Sequence, residues 1–376
     1  MPKSILISGA GTAGPALAFW LARSHYDVTV VESAPTLRTG GHTVDFRGSA
    51  HMTVLQKMGL LDTLQAHRIQ MAPFTFVDRA GRTIVRLSEE FASGELEILR
   101  SDVSRILFDA TKNDVRYIFN DSIQSLAQDP DAVDVTFKNA PPARFDLVAG
   151  ADGMHSNVRR QIFGDEDRLL RHTGYYLALA PVAARWNTYV GQRFNIPGKS
   201  AGVHGAVADP HPVASFFFAS DDPTLGRLDQ ATQRRDLQQT FANMDWIVPD
   251  LLSEAAQSPD FYMDSITVAK LKTIHSGRVV LIGDAAYVLA GELSRARDDH
   301  HSAFPAYEKI MSPYARTCQK TAESAGPFLA PKTAAGLRLR NLLLKLNYAL
   351  PGRGLMERLA HSRASDVSLP TYPHNT

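Results

Sequence analysis

The segment SILISGAGTAGPALAFWLARSHYDVTVVE, residues 4–32, constrains the fold more than any other feature of the chain. Residues 4–8 are a short apolar run that predicts a buried strand, and 27–32 are a β-branched run that predicts a second strand. Between them, 12–24 predicts a helix that follows a glycine-rich turn at 9–11. This strand–helix–strand unit is typical of α/β proteins, in which helices pack on a parallel sheet.

Gly9, Gly11 and Gly14 form the pattern G-x-G-x-x-G in this turn. Gly9 permits the tight turn, Gly11 lets a pyrophosphate approach the backbone, and Gly14 lets the helix pack closely on the strand. The free N–H groups and the positive dipole end at the start of the helix favour a phosphate there. Glu32 closes the second strand, where its carboxylate can accept hydrogen bonds from a ribose. The acid disfavours a 2′-phosphate, so the pattern predicts the ADP part of NAD or FAD rather than NADP.

Composition argues against several other classes of protein. Lys plus Arg (40) nearly balance Asp plus Glu (39), so no global charge attracts nucleic acid or an anionic membrane. Glycines and Thr12 dilute the first apolar run, which argues against a secretion signal, and no stretch approaches the roughly 18–20 apolar residues of a transmembrane segment. Cys318 is the single cysteine, which rules out an intrachain disulfide. We therefore expect a reducing, cytoplasmic location and a buried Cys318 that acts as a small hydrophobe.

Two later segments each place an acid at the end of an apolar strand. FDLVAGADGMHSNVRRQIFG, residues 145–164, runs from a strand into Asp152 and then a helix, and GRVVLIGDAA, residues 277–286, runs into Gly283 and Asp284. Ligands of open α/β sheets bind at the carboxyl ends of the strands, so we expect both segments to border the ligand of the glycine turn. For Asp284 alone, capping of the following helix is the alternative interpretation.

Together these motifs resemble those of the class A FAD-dependent (flavoprotein) monooxygenases, the group of para-hydroxybenzoate hydroxylase and the tetracycline-inactivating monooxygenases. The resemblance covers roughly residues 3–316. The glycine pattern matches the dinucleotide fingerprint of the family, GADGMHSNVR its DG motif, and LIGDAA its GD motif, whose aspartate contacts FAD. The resemblance implies cofactor-binding roles for Gly9, Gly11, Gly14, Glu32, Asp45, Gly48, Arg100, Asp152, Gly283 and Asp284.

Two of these assignments rest on weaker matches. Arg100, in EILRSDVSRIL, stands where the family has an arginine against the cofactor. The loop GGHTVDFRG, residues 40–48, matches the one that crosses near the flavin, which makes Asp45, Arg47 and Gly48 expected neighbours of FAD or substrate. Arg47 is the candidate catalytic residue, and pairing with Glu32 or with a surface acid is the alternative role for its side chain.

The resemblance also implies the architecture, which is α/β: a Rossmann-like FAD-binding domain, a discontinuous β-sheet substrate domain and C-terminal helices. The expected boundaries are 1–70, 96–165 and 268–300 for the FAD-binding domain, 71–95 and 166–267 for the substrate domain, and 301–376 for the helical region. Tyr176, Phe216 and Phe218 lie in β-rich stretches, where they line an apolar substrate pocket or fill the core. His204 is a less favoured candidate for the same pocket.

For function, the resemblance implies an oxidoreductase that hydroxylates an aromatic or polyketide-like small molecule, as in secondary metabolism. FAD, NADH or NADPH and O2 are the expected cofactors and co-substrates, and a C4a-hydroperoxyflavin delivers the oxygen atom. The expected partners are this substrate and O2, with no nucleic acid, no transmembrane segment and no metal ion. The leucine-rich stretch AAGLRLRNLLLKLNYALPG packs on the protein, across a possible homodimer interface or, less favoured, on a membrane surface.

One departure from the family follows Asp284. Relatives continue with P-x-x-G-x-G and a long small-residue helix, whereas Tyr287 here leads at once into VLAGEL. The family pattern therefore implies an internal deletion here, of a loop that in relatives donates backbone N–H groups to the flavin, at a cost of about 1.5–3 kcal/mol for each lost bond to a charged group. Two alternatives stay open: a catalytically impaired or non-catalytic ligand-binding relative, and an NAD-dependent dehydrogenase that uses only the N-terminal fingerprint.

Overall fold

The computed structural model describes residues 2–37, 43–70, 73–87, 94–164, 166–186, 190–205, 212–283, 286–349 and 369–372. The strands β1–β18 are, in chain order, Ser4–Ser8, Asp27–Glu32, Thr43–Phe46, Phe74–Val77, Thr83–Arg86, Leu96–Leu99, Arg116–Phe119, Ile123–Gln128, Val133–Phe137, Ala143–Phe145, Leu147–Gly150, Leu170–Pro181, Gly191–Ile196, Lys199–His204, Val213–Ala219, Tyr262–Ala269, His275–Ser276 and Val279–Leu281. The helices α1–α11 are Ala13–Arg23, Gly48–Lys57, Leu61–Ala66, Arg100–Asp109, Asn157–Phe163, Glu166–Leu169, Gln230–Phe241, Val248–Gln257, Ala286–Arg295, His300–Leu329 and Ala334–Ala349.

A six-stranded sheet, which we call the parallel sheet, has the order β17–β18–β11–β1–β2–β7 within the described residues. β1 runs parallel to β2 and β11, and β18 runs parallel to β11, whereas the edge strand β17 is antiparallel. The predicted strands 4–8 and 27–32 are β1 and β2, and the predicted helix 12–24 is α1, so the strand–helix–strand prediction is confirmed. The carboxyl ends of β1, β2, β11 and β18 therefore share one edge of the sheet.

A second sheet, which we call the seven-stranded sheet, has the order β16–β12–β15–β14–β13–β4–β5. Helices α7 and α8 cover one of its faces, where Tyr176, Phe216 and Phe218 are each at most 2% exposed. Phe241 of α7 packs edge-on against the rings of Phe216 and Phe218, with centroids 5.3 and 5.8 Å apart. These three aromatic residues thus fill the core beneath the helices, and they are not among the residues that line the cavity described below.

Two smaller sheets complete the strands of the described residues. β8, β9 and β10 form a three-stranded antiparallel sheet, and β3 pairs with β6 in a two-stranded one. The register of the second pair sets Asp45 directly opposite Glu97. Two carboxyl groups on neighbouring strands are thereby brought close to each other.

The long helix α10 contacts both large sheets. Gly326 lies against the ring of Tyr175 so closely that a Cβ atom there would meet ring carbons at 2.4 Å. At the other end of α10, Glu308 accepts a hydrogen bond from the backbone N–H of Ile274, 3.1 Å away and just before β17. Cys318 is exposed on this helix, so the expectation of a buried cysteine is wrong. Among the helices that the structure describes, none combines the length and apolar character of a membrane span.

Candidate cofactor and substrate site

Two of the three glycines in the turn after β1 are required by backbone packing. Gly9 has φ +107°, and a Cβ atom there would lie 2.6 Å from the carbonyl oxygen of Ala151, just after β11. A Cβ atom on Gly14 would lie 1.9 Å from the carbonyl oxygen of Gly9. The turn, the start of α1 and the end of β11 therefore touch with no room for a side chain.

Gly11 differs, because no neighbouring atom of the described residues lies close enough to require a glycine at this position. A Cβ atom on Gly11 would meet only the Arg100 Nη2 atom, at an ordinary contact distance of 3.5 Å. Beside it, the hydroxyl oxygen of Thr12 is buried without a hydrogen-bond partner in the described residues. The guanidinium of Arg100 likewise has no hydrogen bond or ion pair within the part of the chain that the structure describes. An open backbone, an unpartnered hydroxyl and a free cation at a helix N-terminus fit the diphosphate of an adenine dinucleotide.

Glu32, at the end of β2, holds the glycine turn in place. Its carboxylate accepts hydrogen bonds from the backbone N–H groups of Ala10 at 2.8 Å and Ala34 at 2.9 Å. The side chain is 8% exposed, and it reaches the cavity above the turn. The hydroxyl of Ser33 donates to the same carboxylate at 3.2 Å, so the end of β2 and the glycine turn are tied together through Glu32.

Asp152, just after β11, organises the loop beside Gly9. Its carboxylate accepts hydrogen bonds from the hydroxyl of Ser156 and from the backbone N–H of Asn157 at 2.9 Å, where α5 begins. Arg159 of α5 donates back to the carbonyl oxygens of Gly153 at 3.1 Å and Met154 at 2.6 Å. The DG segment is therefore a rigid wall of the crevice, and Asp152 lines the same cavity as Gly11.

Gly283 follows β18 and completes the edge of the parallel sheet. A Cβ atom there would meet nothing within 4 Å, and the residue lines the cavity. Asp284, the predicted FAD ligand next to it, lies outside the described residues.

Helix α9 starts at Ala286, directly after this point, and packs against α1 through Trp20 and Tyr287, whose ring centroids are 5.1 Å apart. The ring of Tyr372, near the end of the chain, covers the other side of α9. A Cβ atom on Gly291 would lie 2.2 Å from that ring. Residues 286–293 of α9 are buried. The short helix thus fills the space beside the sheet with the help of the C-terminal segment.

The loop containing the predicted catalytic Arg47 is held by an ion pair. The Arg47 Nε atom donates to the carboxylate of Asp45, and both side chains are about one-quarter exposed. Asp45 lines the cavity, whereas Arg47 and Gly48 are not among its lining residues; Gly48 begins α2 with φ +82°. The catalytic role of Arg47 stays a prediction, since the structure brings only its partner to the cavity wall.

Glu97 is an acid that the sequence did not single out. It is 5% exposed, accepts a hydrogen bond from the hydroxyl of Thr43, and faces Asp45 across the two-stranded sheet. Burial, reinforced by the neighbouring Asp45 charge, raises the pKa of Glu97 to about 7. The carboxyl group of Glu97 therefore titrates near neutral pH.

One cavity of about 1780 Å³ joins the glycine turn to Asp45, Arg100 and Asp152. Gly11, Glu32 and Gly283 line one side of it, and Leu179 and His204 of the seven-stranded sheet line another. A pocket for one small molecule is typically about 300–1000 Å³. The cavity therefore has room for a dinucleotide along the parallel sheet and for a second molecule against the seven-stranded sheet.

Comparisons with known proteins agree with this geometry. The model of the FAD binding domain family matches residues 3–290. A flavin-dependent monooxygenase from an unknown prokaryotic organism is 33% identical over 399 aligned positions, with 98% of this chain and 99% of that protein covered. An uncharacterized protein of Mycobacterium tuberculosis is 37% identical over 330 positions, covering 81% of this chain and 88% of its own length. The crystal structure of tetracycline destructase Tet(51) superimposes with a TM-score of 0.83 at 29% identity, covering 99% of this chain and 100% of that one.

Gly11, Thr12 and Arg100 form an open phosphate site, which we call the phosphate cradle. Together with the acid at the end of β2, it defines a dinucleotide-binding α/β protein with a second site above the dinucleotide. The chain belongs to the FAD binding domain family and, within it, to the flavin-dependent monooxygenases. The comparisons do not favour the dehydrogenase or the non-catalytic alternative. Because 399 aligned positions exceed the 376 residues of this chain, at least 23 of the aligned positions have no counterpart here.

Proposed function

We propose that this monooxygenase uses FAD, NADH or NADPH and O2 to hydroxylate an aromatic or polyketide-like small molecule. In the balanced reaction, substrate, O2, NAD(P)H and one proton give hydroxylated substrate, water and NAD(P)⁺. The observation that carries the proposal is the single cavity that joins the phosphate cradle at Gly11 to the wall around Leu179 and His204. The likeness to tetracycline destructase Tet(51) supports a flat, polycyclic substrate.

The residues around the glycine turn would hold the cofactor. Gly11, Thr12 and Arg100 would bind its diphosphate, and Glu32 would accept a hydrogen bond from its ribose. Bound FAD would supply the redox chemistry, because it accepts a hydride from a nicotinamide and activates O2. We retain the boundaries 1–70, 96–165 and 268–300 for the FAD-binding domain, which the strand membership of the parallel sheet supports.

The seven-stranded sheet would orient the substrate and exclude water from the reacting atoms. Leu179 and Val213 present apolar side chains to the cavity, and Pro181 extends this surface. A dry, shaped wall lets a flat ring system bind by apolar contact while polar groups at its margin set its orientation. This chain would thereby bind and position the substrate, with no side-chain nucleophile.

Absorption spectroscopy of the purified protein tests the proposal. The protein is incubated with FAD, desalted, and mixed with NADH or NADPH, first without O2 and then in air, with and without tetracycline as a polycyclic probe. We expect a retained flavin spectrum, bleaching by a nicotinamide, and a product that carries one atom from isotopically labelled O2. A folded protein that elutes colourless would overturn the proposal, and a coloured protein that no nicotinamide reduces would overturn its oxygenase part.

We also propose that the protein forms a homodimer through α11. Leu339, Leu342, Leu343 and Leu346 of this helix are each 46–56% exposed. Such a group of large apolar side chains on one surface is typical of a protein–protein contact. A second copy of the same helix offers an apolar surface that matches it, as in the two-fold interfaces of most homodimers.

A further inference from the structure

Glu97, on β6, is a buried acid to which the proposed oxygenation assigns no role. The residue is 5% exposed, and its Oε1 atom accepts a hydrogen bond from the hydroxyl of Thr43. Its other carboxyl oxygen, Oε2, is buried without a hydrogen-bond partner in the described residues. Burial of an ionised carboxylate with an unpartnered oxygen costs free energy, so the carboxyl group favours its protonated form.

Asp45, on β3, is a second carboxyl group with one unpartnered oxygen. Strand register sets it opposite Glu97, and the Cβ atoms of such opposite residues lie about 4.5–5.5 Å apart. Its Oδ2 atom accepts from Nε of Arg47, whereas Oδ1 is buried without a partner in the part of the chain that the structure describes. Gly94 covers Oδ1 so closely that a Cβ atom there would lie 1.9 Å from it. Both unpartnered oxygens are therefore shielded from water.

The charges around these two carboxyl groups favour one shared proton. Two ionised carboxylates on facing strands repel each other, and Arg47 compensates only one of the two charges because it pairs with Asp45. Burial raises the pKa of Glu97 to about 7, against the hydrogen bond from Thr43 and the charge of Arg47, and with the support of the charge of Asp45. The acid pair, as we call Asp45 and Glu97, therefore titrates as a unit that holds one proton near neutral pH.

Asp45 connects the acid pair to the cavity. Its side chain is 26% exposed and lines the cavity, whereas Glu97 lies behind it and is not among the lining residues. Arg100 of the phosphate cradle directly follows β6, the strand that carries Glu97. The acid pair and the cofactor site thus share one structural element. A negative charge that enters the cavity about 10 Å from the pair would raise its proton affinity roughly tenfold.

We propose that Asp45 and Glu97 form a proton-donating site of the cavity, which takes up one proton when the bound cofactor is reduced and delivers it to oxygen during the reaction. This inference rests on the proposed monooxygenase function and names the source of the one proton that the balanced reaction consumes. Asp45 is the catalytic member of the pair, because its side chain reaches the cavity. Glu97 is a positioning residue that stores the proton and acts through Asp45.

Protons and charges balance in both half-reactions. Hydride transfer from the nicotinamide adds one negative charge to the cavity, and the acid pair compensates this charge by taking one proton from water. When one atom of O2 leaves as water, an O–H bond of the pair breaks and its electrons stay on the carboxylate. The released proton forms an O–H bond of the departing water. The pair then returns to its ionised form, ready for the next turnover.

The reduction potential of the FAD-loaded protein, measured with dithionite over a range of pH, tests the site without a nicotinamide or a substrate. Uptake of one additional proton with two electrons makes the potential fall more steeply with pH, by up to about 30 mV per unit. We expect this additional slope roughly between pH 7 and 8 in the unaltered protein and its absence in Glu97→Gln, which keeps the shape of the side chain but binds no proton. A purely structural role for Glu97 would not change the number of protons taken up.

A second variant keeps the test decisive if Glu97→Gln does not retain FAD. Asp45→Asn removes the charge that faces Glu97, so proton uptake should move to a pH about one unit lower. A proton-independent slope would not move with this substitution.

Asp121→Asn is the matched control, because Asp121 also lines the cavity and is 3% exposed. Although burial acts in the opposite direction, hydrogen bonds from the backbone N–H groups of Ala140 at 2.7 Å and Asn139 at 3.0 Å lower the pKa of Asp121 below its usual range. Its carboxylate therefore stays ionised, and we expect the control to keep the full additional slope.

Three results would overturn the proton-donating site: equal slopes for the unaltered protein and Glu97→Gln, an unchanged pH range in Asp45→Asn, or loss of the additional slope in Asp121→Asn. The proposed oxygenase function fails by a different measurement, the loss of flavin on desalting or the absence of nicotinamide oxidation. A protein that retains flavin and oxidises a nicotinamide but shows equal slopes refutes only the proton-donating site.

Discussion

The phenol of Tyr372 donates a hydrogen bond of 2.8 Å to the carboxylate of Glu292, and both side chains are at most 2% exposed. Tyr372 belongs to the last segment that the structure describes, whereas Glu292 lies in α9, the helix that follows Gly283. Burial, together with the hydrogen bond to Glu292, raises the pKa of Tyr372 above its usual range, so the phenol keeps its proton. The C-terminal segment thus completes the packing of a helix that binds to α1.

Removal of this ring should destabilise the whole protein. Tyr372→Ala creates a cavity beside Gly291 and should lower the free energy of unfolding by about 3–5 kcal/mol. Tyr372→Phe keeps the ring and removes only the donor to Glu292, which should cost about 1–3 kcal/mol. Urea unfolding followed by circular dichroism measures both values. Equal stability of Tyr372→Ala and the unaltered protein would show that the C-terminal segment does not support α9.

Alanine substitutions at two glycines should separate folding from cofactor binding. Gly11→Ala adds a methyl group that meets only the side chain of Arg100, so the melting temperature of the cofactor-free protein should not change. The same methyl group occupies the phosphate cradle and should weaken FAD binding at least tenfold, or about 1.4 kcal/mol, and Gly11→Val should abolish it.

Gly14→Ala is the contrasting variant, because its methyl group meets the carbonyl oxygen of Gly9 at 1.9 Å and should prevent folding. Flavin fluorescence after desalting and differential scanning calorimetry provide the two measurements. A Gly11→Val protein that retains its FAD would show that the phosphate assignment is wrong.

Glu97 should make stability fall as pH rises through the mildly acidic range. Its pKa is raised from 4.5 to about 7 in the folded protein, so between these values the folded state holds a proton that the unfolded state has lost. The stabilisation is fully present below pH 4.5. As the pH rises through 7, the free energy of unfolding falls by at most about 3 kcal/mol. Glu97→Gln should flatten this part of the curve of melting temperature against pH.

The exposed Glu95 provides the control for that experiment, since Glu95→Gln should leave the curve unchanged. If Glu97→Gln retains the full decline between these pH values, the proton responsible lies elsewhere.

The proposed homodimer should dissociate when charge is placed on α11. In a double variant, Leu342→Glu with Leu343→Glu, like charges from two copies face each other and apolar burial is lost. Size-exclusion chromatography with light scattering should show a change from dimer to monomer. Leu228→Glu, at a 37% exposed leucine outside α11, should remain dimeric. A protein that is monomeric before any substitution would exclude this interface.

Local patterns predicted the nucleotide side of the fold well. β1, β2 and α1 match the expected strands and helix because hydrophobic periodicity and glycine positions are properties of short segments. Thr12 was missed as a candidate ligand, although a hydroxyl residue just before a helix start is a signal that sequence alone offers.

Contacts between distant segments could not be predicted in the same way. Asp45 faces Glu97 only because the register of β3 and β6 sets them opposite each other. The contact of Tyr372 with Glu292 joins residues 80 positions apart, with no periodic pattern between them. The catalytic role of Arg47 stays a prediction, because its side chain pairs with Asp45 and only Asp45 is among the residues that line the cavity.

The order of strands in the parallel sheet has a consequence for biosynthesis. β18, at Val279–Leu281, pairs with β11, which itself pairs with β1 near the N-terminus. A nascent chain on the ribosome therefore exposes an unpaired edge of β11 until Val279–Leu281 has been translated. The ring of Tyr372 reaches α9 later still, because Tyr372 follows Glu292 by 80 residues. Such late pairing of distant segments favours slow folding and exposure to aggregation along the way.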